Sequence, residues 1–526
     1  MKKAIFFSIL AAGLCILAFE PFSLWPLGLV GLIPLFFALE KLPRKKAFIV
    51  GWVYGFVFFV GTVYWVTHSM YVYGGVWFPV SVLVMLVLAA YLALFPALFA
   101  FILNSTSYRG LAFALFAGSL WVAFEYLRSE LFLGFPWALI GYSQTGFLPL
   151  IQMADLAGVF GVSFFVVFVN ALIYASFYRA KGIKEMVKNE AIVICVLALV
   201  YAYGVLRINQ IEKQALTWDK IKVSVVQGNI EQNLKWETYY KMKTIDVYSS
   251  LSKEAASRGA ELIIWPEAAM PFYLNYDKQL LPLVSDVPKT TGAFLLTGAP
   301  HYEQAGDSYK SLNSAFLFSP DGEIAGRYDK IRLVPFGEYV PLRKILFFVD
   351  KMAVGVGDFV PGRGAEPIRF KGEGAGVLIC YEVIFPEIAR EMVRSGATIL
   401  VNITNDGWFG STSGPYEHFA MSKMRAIENR IYLVRAANTG ISAIVDPTGK
   451  EVGKTNLMER AVLTGEARFK KVTPRPTPLG VGAPKGGAGG ITGGKTFFSS
   501  IGHVFPFLTM VFSVIMLVLR FRGRRD

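Results

Sequence analysis

The chain has 526 residues, of which 54% are hydrophobic and 17% charged, and its formal net charge is +14. A mean hydropathy of +0.47 is too apolar for a soluble globular protein of this length, and several apolar runs reach the roughly eighteen residues that mark a membrane span. The positive balance does not point to nucleic acid, because the cations sit in short clusters at the ends of apolar runs, where they orient a membrane protein.

Taken in order, eight spans are expected: 4–19, 24–40, 47–66, 77–103, 110–127, 158–178, 190–206 and 503–520. Roughly twenty helical residues cross a hydrocarbon core of about 30 Å, so the shorter runs need interfacial help. Lys2 and Lys3 before the first run, with Ala12-Gly13-Leu14-Cys15 inside it, suggest a signal peptide with a lipoprotein cleavage box. Leu14 stands where such a box needs a small side chain, and further apolar runs follow at once, so the run reads as a retained span.

The loops set the orientation. Lys2 and Lys3, the cluster Lys41, Arg44, Lys45 and Lys46, then Arg109, then Arg179, Lys181, Lys184 and Lys188, and finally Arg520, Arg522, Arg524 and Arg525 all fall on one side. The loops on the other side hold Arg128 alone. The positive-inside rule makes the basic side cytoplasmic, with both termini inside and the 208–500 segment outside. Glu125, in the fifth span, is a functional candidate by position. Arg128 three residues on makes a helix-end ion pair the plainer expectation.

From about 220 to 470 the pattern changes to alternating strands and helices, which predicts one α/β domain. Strands are expected at Lys222 to Val226, Glu261 to Trp265, 293–299, Val377 to Cys380, Ala397 to Asn402, Tyr432 to Ala436 and Ser442 to Val445. A hairpin is expected from Ser314 to Tyr328 around Pro320-Asp321-Gly322, and helices near 237–258, 386–395 and 416–430. The organisation expected is 1–207 as a membrane region of seven spans, 208–472 as the α/β domain, 473–496 as a Gly/Pro-rich linker, and 497–526 as the last span with a basic tail. The linker contains a formal Walker A match, Gly489 to Thr496. Proline-rich coil precedes it rather than a strand, and the orientation places it away from cytoplasmic nucleotide, so no phosphate site is read there.

Of the three cysteines, Cys15 and Cys195 lie in apolar runs, which leaves Cys380 as the single thiol of the polar domain. Cys380, Glu267 and Lys330 each stand at or just after an expected strand end, where open α/β sheets gather their active-site residues. A thiol with an ordinary pKa near 8.5 needs a base or cation to act as a nucleophile. Glu267 can take its proton, and Lys330 can donate to the oxyanion of a tetrahedral intermediate. The four histidines have no metal-ligand spacing, and no metal or cofactor is expected.

Several stretches in one order resemble a known family. They are Val226-Gln227-Gly228-Asn229-Ile230 with Lys235-Trp236, Trp265-Pro266-Glu267, Tyr328-Asp329-Lys330 with Leu333 to Pro341, Ile379-Cys380-Tyr381-Glu382, and Asn402 to Gly410. Gly414-Pro415 with His418, and Arg425 to Arg430, continue the series. The polar domain resembles the nitrilase superfamily, whose hydrolases use a Glu-Lys-Cys triad in an αββα sandwich. The whole chain resembles the bacterial apolipoprotein N-acyltransferase family, in which that domain is carried on eight membrane spans.

The resemblance implies that Glu267 is the general base, Lys330 the oxyanion-stabilising cation and Cys380 the nucleophile. Glu338, Tyr381, Glu382 and Trp236 match further supporting or substrate-binding positions. It also implies a multi-pass protein of the bacterial inner membrane with its catalytic domain on the periplasmic side. The implied donor is a phospholipid, phosphatidylethanolamine by expectation, and the acceptor is the N-terminal amine of a diacylglyceryl apolipoprotein. A membrane-anchored amidase with water as acceptor is the alternative enzyme, and a polytopic scaffold or transporter with an appended binding domain is the non-enzymatic one. The segments 270–273, 345–348 and 407–409 are candidates for a mobile lid. The Gly/Pro-rich stretch departs from the family pattern, and His503 stands where an acid is common.

Overall fold

A computed structural model describes residues 1–132, 134–231, 238–305, 308–341, 359–470 and 495–522. The chain divides into two compact units. One holds Met1–Thr67, Trp77–Gln210 and Ser500–Asp526, and the other holds His68–Val76 and Ile211–Ser499.

The first unit is helical. Five helices are long and apolar enough to cross a membrane: Arg44–Val63, Phe78–Leu103, Gly110–Glu130, Ala154–Tyr178 and Ile183–Ala215. The runs expected as the first, second and eighth spans form shorter elements, Lys2–Ala18, Trp25–Leu39 and Val504–Arg520. Among the described residues, then, five of the eight expected spans are helices long and apolar enough to cross. The second run is also broken, into a 3-10 turn Trp25–Leu29 and a helix Ile33–Leu39. Asn170 on Ala154–Tyr178 satisfies the backbone that this break frees. Its Nδ2 donates to Gly28 O at 2.8 Å and its Oδ1 accepts from Leu32 N at 2.9 Å, as an apolar surrounding requires.

Close helix packing in this unit depends on small residues. A Cβ at Gly51 would meet the Ala100 Cβ and the Pro96 carbonyl at 2.6 Å, and one at Gly55 would meet the Ala93 Cα at 2.8 Å. The two glycines are four apart, so one face of Arg44–Val63 lets the neighbouring backbone approach. The last long helix runs to Ala215, eight residues past the domain boundary expected at 207. Asp155 joins it to Ala154–Tyr178, accepting from Tyr203 Oη at 2.6 Å and Arg207 Nε at 2.7 Å.

Glu125 and Arg128 feel each other's charge, in keeping with the helix-end pairing expected, but their hydrogen bonds go elsewhere. Both are buried. Glu125 Oε1 accepts from Trp121 Nε1 at 3.0 Å and Ile140 N at 2.7 Å. Arg128 Nη1 donates to the carbonyls of Phe135 and Trp137 at 2.9 and 2.6 Å. Each side chain ties the helix to the loop that follows it.

The second unit carries twelve strands among its described residues: β1 Asp219–Gln227, β2 Leu262–Ile264, β3 Phe294–Ala305, β4 Ser308–Phe318, β5 Ile324–Asp329, β6 Ile368–Phe370, β7 Glu373–Ile379, β8 Ile399–Thr404, β9 Leu433–Ala437, β10 Ala443–Val445, β11 Glu451–Lys454 and β12 Ala461–Phe469. They form two six-stranded sheets, ordered β12-β1-β2-β3-β4-β5 and β11-β10-β9-β8-β7-β6. The strands β1-β2-β3 and β7-β8-β9 are parallel. Strands β2 and β8 are buried along their whole length, as sheets covered on both faces demand; β2 is a continuous apolar run, LII, and β8, ILVNIT, is apolar except at Asn402 and Thr404.

The sheets are joined through Gln227, whose Oε1 accepts from Ser442 Oγ at 2.6 Å and Thr455 Oγ1 at 2.8 Å. Helices Thr238–Ser257 and Leu281–Thr291 cover the first sheet, placing Ile245, Tyr248, Val284 and Val287 in one core with Ile263, Trp265 and Phe316. Helices Pro386–Arg394 and Gly414–Asn429 cover the second. The result is a four-layer αββα sandwich.

Each expected strand has an observed counterpart. The strand expected from 293 extends to Ala305 and pairs antiparallel with β4. The helix Leu281–Thr291 and strands β6, β11 and β12 had no expectation. Strand β12 pairs with all of β1, from Asp219 opposite Phe469 to Gln227 opposite Ala461.

Candidate active site

Three strand ends build the site. Strand β7 delivers Cys380, which follows Ile379 directly and opens a 3-10 turn to Ile384. Strand β2 ends three residues before Glu267, because Pro266 cannot continue the ladder. Strand β5 ends at Asp329, the residue before Lys330. Glu267, Lys330 and Cys380 are 6%, 1% and 8% exposed.

The carboxylate of Glu267 is fixed on both oxygens. Oε1 accepts from Asn313 Nδ2 at 2.8 Å and Lys330 Nζ at 3.3 Å, and Oε2 accepts from Asn405 N at 3.1 Å. Glu338 shares two of those partners. Its Oε1 accepts from Lys330 Nζ at 3.0 Å and Asn313 Nδ2 at 2.7 Å, and its Oε2 accepts from Val334 N at 2.7 Å. One ammonium and one amide thus bridge two carboxylates. Burial works against the charge on Lys330, but Glu267 and Glu338 outweigh it and hold the ammonium above its ordinary pKa.

Burial, and then the negative charge of Glu267, push the Cys380 thiol above its ordinary pKa, with Lys330 pulling the other way. The resting group is therefore a thiol rather than a thiolate. A buried thiol can attack only with a base that removes its proton, and Glu267 is the carboxylate whose charge this thiol feels most.

Glu382 is completely buried. Its Oε1 accepts from Tyr328 Oη at 2.9 Å, Ile331 N at 2.7 Å and Arg332 N at 3.2 Å, and its Oε2 accepts from Ile379 N at 2.7 Å. It ties the segment after Lys330 to the residue before Cys380. Burial pushes its pKa up to about 7 against the pull of these donors. The Tyr381 ring packs edge-on against Phe385 at 5.0 Å, and burial raises its phenol pKa. Trp236 lies outside the described residues, as does the 345–348 segment.

Of the other proposed lid segments, 270–273 is not free to move as one: Met270 and Phe272 belong to the core of the first sheet. Trp408 is half-buried, and its carbonyl accepts from Ser69 Oγ at 2.7 Å. Asn313 and Arg435 had no expectation. Asn313 sits in mid-strand and bridges Glu267 and Glu338. In the sequence it is one of several polar residues in the run SYKSLNSAFLF, and nothing there singles it out. Asp406 and His418 were part of the motif series but carried no role.

The family model for the carbon-nitrogen hydrolases matches residues 222–476, which hold all three strand-end residues. The model for the apolipoprotein N-acyltransferase N-terminal domain matches residues 11–172. The apolipoprotein N-acyltransferase of Geobacter metallireducens is 38% identical over 521 residues, covering 98% of this chain and 95% of that one. The chain belongs to the apolipoprotein N-acyltransferase family. The family member from Pasteurella multocida is 34% identical over 484 residues, covering 88% of this chain and 90% of its own. The family member from Haemophilus influenzae is 33% identical over 468 residues, covering 87% of each.

Proposed function

We propose that this protein, a bacterial membrane protein, moves a fatty acyl chain from a membrane phospholipid, through a thioester on Cys380, to the α-amine of an S-diacylglyceryl cysteine at the N-terminus of an apolipoprotein. The observation that carries the reading is membership of the acyltransferase family over nearly the whole chain, together with a buried thiol that feels both Glu267 and Lys330.

In the first half-reaction Glu267 takes the thiol proton as Sγ attacks the ester carbonyl. Lys330 donates to the oxyanion that forms, an interaction typically worth about 3–4 kcal/mol. Collapse breaks the ester bond, and the leaving lysophospholipid oxygen takes the proton from Glu267. In the second half the neutral amine attacks the thioester, Glu267 takes a proton from the amine nitrogen, and the Cys380 sulfur leaves and is reprotonated. Glu338 and Asn313 hold Glu267 and Lys330 in register for both halves. Tyr381, Glu382 and Trp236 are assigned supporting roles, and phosphatidylethanolamine is the proposed donor. The distribution of basic loops supports a periplasmic catalytic unit with cytoplasmic termini.

The test uses purified full-length chain in phospholipid micelles, with a diacylglyceryl-cysteine peptide as acceptor. Acylated peptide is expected with the free α-amine, none with the N-acetylated peptide, and none from Cys380→Ser. Release of free fatty acid without acylated peptide would replace this reading with the amidase that uses water.

A further inference from the structure

Cys380 has a φ of +51°, in the left-handed region that a residue with a Cβ keeps only where its surroundings hold it there. The chain before it is held from two sides: Ile379 N donates to Glu382 Oε2 at 2.7 Å, and Leu378 O accepts from Asn402 Nδ2 at 2.8 Å. The carbonyl of Cys380 itself is held by His418 Nε2 at 3.2 Å. A carbonyl oxygen can only accept, so Nε2 is the protonated ring nitrogen.

His418 stands on Gly414–Asn429 and is 1% exposed. Its Nδ1 lies 2.9 Å from Asp406 Oδ1 and 3.1 Å from Arg435 Nη2. The carboxylate favours a proton on Nδ1 and the guanidinium its absence. Burial, and then Arg435, prevail and lower the imidazole pKa. Arg435 also donates to Asp406 Oδ2 at 2.6 Å and to Ser422 Oγ at 3.0 Å, and Thr404 Oγ1 donates to Asp406 Oδ1 at 2.9 Å. Asp406 and Arg435 are fully buried. A buried ion pair is costly to desolvate and is weak evidence of stabilisation by itself. Here it is aimed at one imidazole, and that imidazole holds the backbone of the strained cysteine.

We propose that Asp406 and Arg435 lock the His418 ring so that its Nε2–H holds the Cys380 carbonyl, and with it the left-handed backbone that aims the thiol. His418 is a positioning residue. The inference rests on Cys380 being the nucleophile, and it adds a second sphere of residues that the triad does not contain.

The test compares His418→Gln with His418→Asn. A glutamine amide nitrogen reaches the place of Nε2, whereas an asparagine amide reaches only the place of Nδ1. Two rates are measured on full-length protein: acyl transfer from phospholipid, and alkylation of Cys380 by iodoacetamide, read on its own peptide by mass spectrometry. His418→Gln is expected to keep both rates within about fivefold of wild type. His418→Asn is expected to lose on the order of 10²-fold in kcat, the cost of a misplaced reacting group, with an unchanged KM for phospholipid and a matching loss in alkylation. Equal losses in the two variants would make His418 a plain packing residue, and wild-type rates in His418→Asn would make the contact idle. Either result overturns the proposal. Acyl transfer by Cys380→Ser would instead overturn the reading of the nucleophile, and the alkylation comparison would still decide whether His418 sets the thiol.

Discussion

Replacing Glu382 by alanine removes the one acceptor shared by Tyr328 Oη, Ile331 N, Arg332 N and Ile379 N. Three of the four donors are backbone groups, on the two segments that carry Lys330 and Cys380. A buried donor left without a partner costs about 1–3 kcal/mol. Water entering the vacated space and rotation of Tyr328 recover part of that, so about 3–6 kcal/mol in total is expected. For a domain of this size each kcal/mol lowers the melting temperature by roughly 2–4 °C, so Glu382→Ala is expected to melt on the order of 10 °C below wild type. Glutamine keeps one oxygen but turns an amide group toward Ile379 N, so it falls between the two. Thermal unfolding of the detergent-solubilised chain gives the order, with acylation of Cys380 measured on the same samples. An alanine variant that melts with wild type yet accepts no acyl group would refute this reasoning and place Glu382 in the chemistry itself.

Asn313→Ala removes two hydrogen bonds to carboxylates, each worth about 1.5–3 kcal/mol, and is expected to slow acyl transfer by roughly 10- to 100-fold and to lower the melting temperature by on the order of 10 °C. Asn313→Asp is expected to be slower still, because a third carboxylate then faces those of Glu267 and Glu338; steady-state kinetics of the two variants checks the order. Glu382 also predicts a pH trend. Its folded pKa, pushed up to about 7 from an ordinary 4.5, means that the folded state keeps a proton the unfolded state has lost. The wild-type chain therefore loses roughly 3 kcal/mol relative to Glu382→Gln as pH rises from about 4.5 to 7, and the gap between their melting temperatures is expected to narrow over that window. In the helical unit, Gly51→Val must push Ala100 and Pro96 away from contacts at 2.6 Å. A cost of about 1–3 kcal/mol is expected, read as a lower melting temperature at unchanged specific activity of the folded fraction.

The two sheets were legible because their central strands are short apolar runs ending on proline, glycine or a charged residue, as in Leu262–Ile264 before Pro266. The strand Ala461–Phe469 was not, because its sequence, AVLTGEARF, alternates poorly and its strand character comes from pairing along Asp219–Gln227. The break in the second apolar run was equally silent: Asn170, more than 130 residues away, supplies the partners that make it possible. At the site, strand ends and motifs located Glu267, Lys330, Cys380, Glu338 and Glu382. They could not disclose Asn313, since its role exists only where β4 passes between two carboxylates from other segments. Nor could they assign Asp406, His418 and Arg435, three residues from three elements that meet only behind the cysteine backbone.

The proposed chemistry stands on Cys380 carrying the acyl group. The direct measurement incubates the full-length chain with phospholipid labelled in its acyl chain, without acceptor, and identifies the labelled peptide by mass spectrometry before and after hydroxylamine. One acyl group on the Cys380 peptide is expected, released by hydroxylamine, absent from Cys380→Ser, and discharged when a diacylglyceryl-cysteine peptide is added. An acceptor peptide that becomes acylated while Cys380 never carries label would contradict it.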